Sequence, residues 1–538
     1  MLMRGHALPA ELYAHIFSDL DRHDLVQVSQ ACRILFNVTI RYLWRVVDLR
    51  PLLALLPGSC MVSDPRGLLE PETPTLLMTS DDYYTRFRLY APYVEVLETE
   101  SGSYSCAPSK YFMDRRTYSS LRRIQLPNLK EVDMGHIWSG SGWASGGTYG
   151  KPSLFWMALL IPATIKGLSF TATDQRDLSL LGTLLARCTQ LTQFKFRPDQ
   201  RPNWDTWLSI LAFHIPQEIT NLEISCAEVN NAGYSWLSKL TKLQSLELLL
   251  CQSFGQLPQR NLRRTSDPSP VAYPHAFSTL RNLCISITHH SQLPQIIQIC
   301  RTIAAHITHI TIKAPGRIWT PDMFNGLFLG LTSHCLKLSF LHLHESGPQS
   351  YGADVPSFPI SHLSVLQSLP LRALKISYQL SLIDDSNPLK YVATLFPNLE
   401  ELWLEKTPII IDELLEAKIN FPHMCRLELG FHNLKPTHKF LSDTLGGADR
   451  YVDSNYAPQS TLALIPGLCL DRGSEDDRWW SYSVEDWDFA AKLLTSRWSS
   501  VYLDTSHGAE PLDRYFKINE KFDFYSAQRD KNRRRERD

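Results

Sequence analysis

The chain has 538 residues, of which 44% are hydrophobic and 20% are charged. Its 54 lysines and arginines balance 55 aspartates and glutamates, so no overall field favours a nucleic acid or an anionic membrane as a partner. The length exceeds a single ordinary core, which favours a small module attached to a long repeat.

Residues 6–50 contain the pattern of three short amphipathic helices that end in a tryptophan. Leu12, Ile16 and Leu20 recur at four-residue steps on one helix face. Pro9 suits a first helical turn, because the N–H that it lacks would have no intrahelical acceptor there. So small a segment cannot bury all of its apolar surface, and we therefore expect a partner to cover part of it.

The order of residues in this segment resembles an F-box. The resemblance extends over residues 6 to 48 and implies a Skp-type adaptor and, through it, a cullin as partners. The motif match assigns eight residues to the fold of the module and its adaptor contact. They are Leu8, Pro9, Ile16, Phe17, Leu20, Leu25, Val28 and Trp44. The alternative interpretation is a small helical cap on the part that follows.

An apolar triplet at positions i, i+3 and i+5 recurs through the rest of the chain. Ten intervals span the 295 residues from Leu129 to Met424, about 30 residues per repeat, which is typical of leucine-rich repeats. Weaker triplets extend the series at Ile465/Leu468/Leu470 and Trp498/Val501/Leu503, and Val94/Leu97 begins it. The eleven clear triplets are Leu129/Val132/Met134, Ile165/Leu168/Phe170, Leu191/Phe194/Phe196, Ile219/Leu222/Ile224, Leu243/Leu246/Leu248, Leu280/Leu283/Ile285, Ile307/Ile310/Ile312, Leu338/Leu341/Leu343, Leu371/Leu374/Ile376, Leu399/Leu402/Leu404 and Met424/Leu427/Leu429.

The spacing of the triplet predicts one short strand per repeat. Its last two members, two residues apart, point to the same side of a strand and enter the core. Single units cannot bury their apolar faces, so neighbouring coils stack and their strands form a parallel sheet. The return segments at 177–185 and 412–415 have the pattern of helices. We therefore predict an α/β solenoid, a horseshoe with the sheet on its concave face and helices outside; the alternative is an ordinary α/β domain with parallel strands.

These patterns divide the chain into four segments. We expect an F-box domain at 6–50, a proline-interrupted connector at 51–90, the leucine-rich-repeat solenoid at 91–505 and a charged tail at 506–538. The eleven cysteines are scattered without a C-x-x-C pair, which favours buried thiols in a reducing compartment. No run of about 18 apolar residues occurs. We expect a soluble protein of the cytoplasm or nucleus, with no membrane or nucleic-acid partner.

Catalytic motifs are incomplete in this sequence. No G-x-S-x-G or H-E-x-x-H occurs. The stretch from Ser145 to Lys151 lacks the first glycine of a phosphate loop, and Pro152 replaces its Ser/Thr. His342 and His344 share a predicted strand face, but no third metal ligand is placed beside them. The sequence therefore indicates no catalytic residue, no metal and no cofactor.

The concave face of the predicted solenoid is where a target would bind. Trp403 lies between two inward leucines, so strand alternation turns it out of the core. Acidic residues and a second aromatic on the late coils predict a patch for a basic segment with an apolar anchor. The predicted target-binding residues are Trp403, Glu405, Glu428, Asp471 and Tyr502. The alternative is a face that is charged only for solubility.

The F-box resemblance implies the substrate-recognition subunit of an SCF-type cullin-RING ubiquitin ligase. In that role the module docks on the adaptor and the repeats hold a target protein. A ubiquitin-loaded partner enzyme then acts by proximity. The first alternative is a leucine-rich-repeat scaffold that does not engage a ligase, and an enzyme is a more distant one.

Overall fold

The structure, a computed structural model, describes part of the chain and divides it into two units. The first unit comprises Met1–Cys226 and Ser235–Leu243, and the second comprises Ala227–Tyr234 and Gln244–Asp538. The described residues are 10–48, 51–52, 55, 60–62, 75–77, 85–98, 110–112, 126–133, 160–172, 175–198, 211–226, 229, 231–250, 277–315, 319–346, 357–381, 387–407, 421–430, 461–465, 500–503, 523–528, 530–531 and 534.

Three helices open the first unit: α1 (Ala10–Ser18), α2 (Arg22–Ala31) and α3 (Arg33–Leu43). Asp21 is the N-cap residue of α2. Its carboxylate accepts a hydrogen bond from the backbone N–H of Asp24 at 2.8 Å, as N-cap aspartates commonly do. Phe17, Leu25 and Ile40 form the buried centre of the three helices. The three predicted amphipathic helices are thus confirmed.

The sheet of the first unit is parallel throughout. Its six strands are joined in the order β1, β4, β6, β7, β8, β9, and β2 pairs with β3 and β3 with β5 in a separate small sheet. The strands of this unit are β1 (Val46–Asp48), β2 (Cys60–Val62), β3 (Thr75–Leu77), β4 (Val96–Glu98), β5 (Lys110–Phe112), β6 (Glu131–Asp133), β7 (Gly167–Ala172), β8 (Gln193–Pro198) and β9 (Asn221–Cys226). The following helices are α4 (Thr85–Tyr90) and α5 (Gln175–Arg187). The next helix, α6 (Asn231–Leu237), has its first four residues in the second unit and the rest in the first.

The second unit repeats the same plan. Its main sheet is parallel, in the order β10, β11, β12, β13, β15, β17, β18, β19, β20, and β14 pairs with β16. Its strands are β10 (Ser245–Leu250), β11 (Asn282–Ile287), β12 (His309–Ala314), β13 (Phe340–Glu345), β14 (Ser357–Pro359), β15 (Ala373–Ile376), β16 (Gln379–Ser381), β17 (Glu401–Leu404), β18 (Arg426–Gly430), β19 (Thr461–Ile465) and β20 (Ser500–Leu503). Its helices are α7 (Leu293–Ile303), α8 (Pro321–His334) and α9 (Pro388–Leu395), with 3-10 turns at His290–Gln292, Ala304–His306 and Ile360–Ser368.

The apolar triplets account for the core of both sheets. In ten of the eleven clear triplets the last two members lie in one strand, and Val132 of the remaining one lies in β6. Phe194 and Leu341, for example, are fully buried, and helices such as α8 bury their own apolar residues, Phe324 and Leu327 among them. The predicted α/β solenoid with a parallel sheet is therefore confirmed. The helix predicted at 177–185 lies within α5, whereas 412–415 falls outside the described residues.

A repeated backbone pattern sets the register between coils. The carbonyl of Arg45, just before β1, accepts the N–H groups of Glu95 and Val96, each at 2.9 Å. The carbonyl of Thr308, just before β12, accepts two N–H groups of the next coil in the same way. Because buried backbone groups need partners, each coil fixes the start of the next strand.

The sheet begins earlier than the sequence suggested. β1 lies inside the expected 6–50 domain and pairs with β4, so the repeat starts before the expected connector at 51–90 rather than after it. Trp44 and Val47 occupy the first two positions of the same apolar triplet. The weak triplet at Val94 and Leu97 is confirmed as the next coil, since both residues are buried and Leu97 lies in β4.

Leu468 and Leu470 of the weak triplet Ile465/Leu468/Leu470 lie outside the described residues. The structure describes a strand just before them, β19, where Leu462 pairs with Leu427 and Leu464 with Leu429. The triplet rule does not predict β19, because polar Gln459 stands where the first apolar member is required. The last weak triplet is confirmed, because β20 contains Val501 and Leu503.

The described helices are all too short or too polar to cross a bilayer.

Candidate functional site

The N-terminal three-helix module carries large apolar side chains on its surface. Leu12 and Ile16, one turn apart on α1, are 47% and 48% exposed, and residues at this spacing share a helix face. Val26 on α2 and Ile34 on α3 are also exposed. The exposed pair on α1 makes this module a candidate for binding a partner.

The residues assigned to the module by motif match fall into different environments. Phe17 is 4% exposed and packs against Tyr13 and Tyr42, with ring centroids 5.6 and 5.9 Å apart. It therefore stabilises the fold, as does buried Leu25. Of the remainder, Ile16 is exposed and available to a partner, Leu20 and Val28 are half-buried, and Leu8 and Pro9 lie outside the described residues.

Sequence periodicity could not separate these environments. Leu12 was recognised as part of an apolar helix face, but its exposure was not predicted, and Val26 and Ile34 were missed. An apolar side chain in the core and an exposed apolar side chain that binds a partner produce the same periodic pattern in the sequence. Only the packing of the three helices distinguishes them.

Trp44 occupies the junction between the module and the first coil. It caps α3, and its ring stacks on Tyr90 of α4 with a centroid separation of 4.4 Å and an interplanar angle of 27°. Directly beside it, Glu95 forms ion pairs with Arg45 at 3.3 Å and with Lys130 at 3.0 Å. The predicted adaptor contact of Trp44 remains a prediction, since the structure uses much of this side chain to join two parts of the first unit.

The second candidate surface lies on the main sheet of the second unit. We use "open face" for the outward side of β10 to β18, formed by the strand residues that alternate with the buried ones. One row of neighbours crosses this face through successive strand pairs. Its members are Glu247, Cys284, Thr311, His342, Lys375, Trp403 and Glu428.

Charged side chains on the open face reach across the strand between them. Lys313 of β12 donates to Glu247 of β10 at 2.8 Å, above the intervening Cys284. The Cys284 thiol also donates to Glu247, at 3.4 Å. Burial and the adjacent carboxylate raise the pKa of Cys284 to about 12. Burial lowers the pKa of Lys313, but the hydrogen bond to Glu247 and the charges of Glu247 and Cys284 together outweigh burial, so the net shift of the pKa is upward.

Aromatic rings and one lysine form the centre of the open face. We call Phe340, His342, Lys375 and Trp403 the ring cluster. The rings of His342 and Trp403 are nearly parallel, 6.2 Å apart at an angle of 14°, although β15 lies between their strands. The ammonium of Lys375 lies 4.7 Å from the Trp403 ring centroid and 5.4 Å from that of Phe340, within reach of a cation–π interaction.

Trp403 points out of the core, as strand alternation predicted, but it is not freely exposed. Its side chain is half-buried, between inward Leu402 and Leu404, and Lys375 and His342 cover it. Its indole Nε1 is buried, and no described residue accepts a hydrogen bond from it. The sequence predicted that Trp403 points out of the core, but it did not predict that Lys375 and His342 pack over the ring.

The two histidines of the open face are held in their neutral form. Burial lowers the pKa of His342 to about 4, and His344 and Lys375 add to the shift. Burial also lowers the pKa of His344, while the nearby Glu405 carboxylate opposes that shift. Both imidazoles are therefore uncharged at neutral pH.

Glu428 does not contribute an exposed negative charge beside Trp403, contrary to the predicted acidic patch. That residue is 3% exposed and pairs with Arg426 two positions earlier on the same strand, so its charge is compensated. Glu405 is half-buried and forms no ion pair with a described residue. Asp471 lies outside the described residues. Tyr502 pairs with Ala463 through the backbone of β20, and its side chain is not described.

No group of three or more potential metal ligands occurs within the described ranges.

Comparison with known proteins identifies the N-terminal module. A family model described as F-box-like matches residues 6–50. No curated protein matches the chain. Among solved structures, the chain is similar to one in the "Crystal structure of Rad7 and Elc1 complex in yeast", with 13% identity, coverage of 84% of this chain and 92% of that chain, and a TM-score of 0.32. Residues 6–50 therefore form an F-box-like domain, which passes directly into a sheet of parallel repeats.

Proposed function

We propose that this protein is a non-catalytic substrate receptor of an SCF-type cullin-RING ubiquitin ligase. The F-box-like domain binds a Skp-type adaptor and, through it, a cullin, and the repeats bind the target protein. The observation that carries this proposal is the family match at residues 6–50. The exposed Leu12 and Ile16 within that domain support it, because they offer an apolar surface for the adaptor.

The chemistry of such a receptor is proximity alone. Holding a target lysine next to a ubiquitin-loaded enzyme turns a bimolecular reaction into an effectively unimolecular one. No side chain of the receptor has to accept or donate a proton. The neutral imidazoles and the compensated charges of the open face suit a binding surface of this kind.

Co-expression of the full chain with a Skp-type adaptor tests the adaptor contact. We expect the adaptor to co-purify with the parent chain and to be lost from Leu12→Asp, because a buried charge without a partner is costly at an interface. Leu329→Asp is the matched control, since Leu329 is a leucine on helix α8 with 51% exposure, close to the 47% of Leu12. It should retain the adaptor.

The same experiment distinguishes the proposed receptor from the alternative function, a repeat scaffold. If the parent chain is folded and fails to bind any Skp-type adaptor, the protein is a repeat scaffold that does not engage a ligase. If Leu12→Asp and Leu329→Asp retain the adaptor equally, the proposed face of the domain is wrong.

A further inference from the structure

The cations of the open face already have anionic partners. Lys313 is paired with Glu247, and Lys375 lies 3.6 Å from Glu401. Directly after β17, Lys406 is paired with Glu345, and on β18 Arg426 is paired with Glu428. A surface that recognises a phosphorylated target needs arginines or lysines that are free to bind the phosphate oxygens. The three cations of the open face, Lys313, Lys375 and Arg426, are instead committed to carboxylates of that face. Lys406 is committed to Glu345 on the core-facing side of the sheet.

Glu405 differs from the other carboxylates of this face. It follows β17 two residues after Trp403, on the same side of the strand, and its backbone N–H donates to the carbonyl of Ile376 at 3.1 Å. No cation among the described residues pairs with its carboxylate. The Glu405 charge acts on the His344 ring, but burial lowers the pKa of His344, so this ring supplies no compensating cation at neutral pH. Glu405 is thus a negative group that a bound partner can neutralise.

The indole of Trp403 supplies a second unsatisfied group. Its Nε1 donor is buried without an acceptor among the described residues, and such donors are rare because they cost the full desolvation of the group. Lys375, which covers the ring, is held by cation–π contacts and an ion pair of 3.6 Å. Because these contacts are non-covalent, displacement of the Lys375 ammonium by a partner gives an acceptor access to the indole.

We propose that the ring cluster and Glu405 bind an extended, unphosphorylated segment of the target that carries a large apolar side chain next to a lysine or arginine. The apolar side chain packs on Trp403 and Phe340, and a main-chain carbonyl of the segment accepts the indole N–H. The cation of the segment pairs with Glu405. This inference rests on the proposed function, because it treats the open face as the part of a receptor that binds a target.

A randomised twelve-residue peptide library displayed on phage is the probe. It is selected on the full chain in complex with its adaptor, or on the full chain alone if no adaptor binds. We expect enrichment of peptides with a large apolar residue adjacent to lysine or arginine. Measured with the enriched peptides, Trp403→Ala should weaken binding roughly thirty-fold and Glu405→Gln about five-fold, in keeping with a central aromatic anchor and a peripheral charge.

Two further variants separate binding from folding. Trp403→Phe keeps a ring over the sheet and removes the indole N–H, so it should weaken binding less than Trp403→Ala. Phe213→Ala removes an 83% exposed aromatic outside the open face and should change nothing. An unchanged circular dichroism spectrum and thermal unfolding midpoint in each variant show that the repeats remain folded, and adaptor retention tests the proposed function separately.

Three results would overturn the inference. One is enrichment of acidic peptides, or tighter binding when serines of the enriched peptides are phosphorylated. Another is equal binding of the enriched peptides to the parent, Trp403→Ala and Glu405→Gln chains. The third is the absence of any enriched peptide on a chain that still binds its adaptor.

Discussion

Removal of the Trp44 side chain should loosen the junction between the F-box-like domain and the first coil. Trp44 stacks on Tyr90 at 4.4 Å, and the carbonyl of the next residue, Arg45, accepts the N–H groups of Glu95 and Val96. Trp44→Ala therefore removes the side chain that holds the domain against α4, while the backbone bonds across the junction remain possible.

The structure bounds the size of this effect. Replacement of a fully buried tryptophan by alanine costs about 3–5 kcal/mol, and a stacked aromatic pair contributes about 0.5–1.5 kcal/mol beyond burial. Trp44 is half-buried, so we expect a local loss of roughly 2 kcal/mol. The Arg45–Glu95 ion pair is a weaker element, since 63% of the Arg45 side chain is exposed and exposed pairs contribute about 0–1 kcal/mol.

Amide hydrogen exchange across the junction measures this loss directly. At about 1.4 kcal/mol per factor of ten, the amides of Glu95 and Val96 should exchange roughly thirty-fold faster in Trp44→Ala. Glu95→Gln is the control and should accelerate exchange less than about five-fold. Unchanged exchange in Trp44→Ala, together with loss of the adaptor, would show that Trp44 contacts the adaptor instead of holding the junction.

Three further predictions concern single side chains. Because the pKa of His342 is lowered to about 4, folding favours the neutral ring; its contribution is complete above the unfolded value near 6.5 and falls as the pH decreases towards 4. Between pH 7 and pH 5 the local free energy of unfolding should fall by roughly 1–2 kcal/mol, measured by hydrogen exchange in β13, and His342→Gln should lack this dependence. Phe17→Ala should unfold the F-box-like domain, at a cost of about 3–5 kcal/mol, whereas Ile16→Asp should leave its circular dichroism unchanged and abolish adaptor binding. The raised pKa of the Cys284 thiol should make it react with iodoacetamide at pH 8 more slowly than exposed Cys425, as followed by mass spectrometry.

The repeat architecture was predictable because each inward position obeys one local rule. A strand residue such as Phe194 and its neighbour two positions on both need to be apolar to enter the core. This requirement concerns residues that are close in the sequence, so it can be recognised without knowledge of the rest of the fold. The rule failed where one member of the triplet was polar, as at Gln459 before β19.

Contacts on the open face could not be predicted in this way. Whether an outward carboxylate is exposed or compensated depends on side chains from other coils and on the conformation of its own strand. Glu428 pairs with Arg426 on β18, and the cover of Trp403 comes from Lys375, 28 positions earlier in the sequence. Lys313 and Glu247 are 66 positions apart. Strand alternation predicts that these side chains lie outside the core. Which of them contact each other depends on the pairing register between neighbouring strands, and the sequence does not give that register.

The segment expected to connect the F-box domain to the repeat should behave as an insertion. β1 follows α3 directly and pairs with β4, so residues 49–95 connect two adjacent strands of one sheet. A flexible tether of 40 residues would allow a separation of roughly 35 Å between its ends, whereas strand pairing holds these ends in adjacent strands. Insertion of ten glycine and serine residues after Gly67 should therefore cost only about 0.2 kcal/mol of loop closure. The exchange rate of the Val96 amide should remain within about twofold of the parent rate. A thirty-fold acceleration, equal to that expected for Trp44→Ala, would mean that the segment itself holds the domain in place.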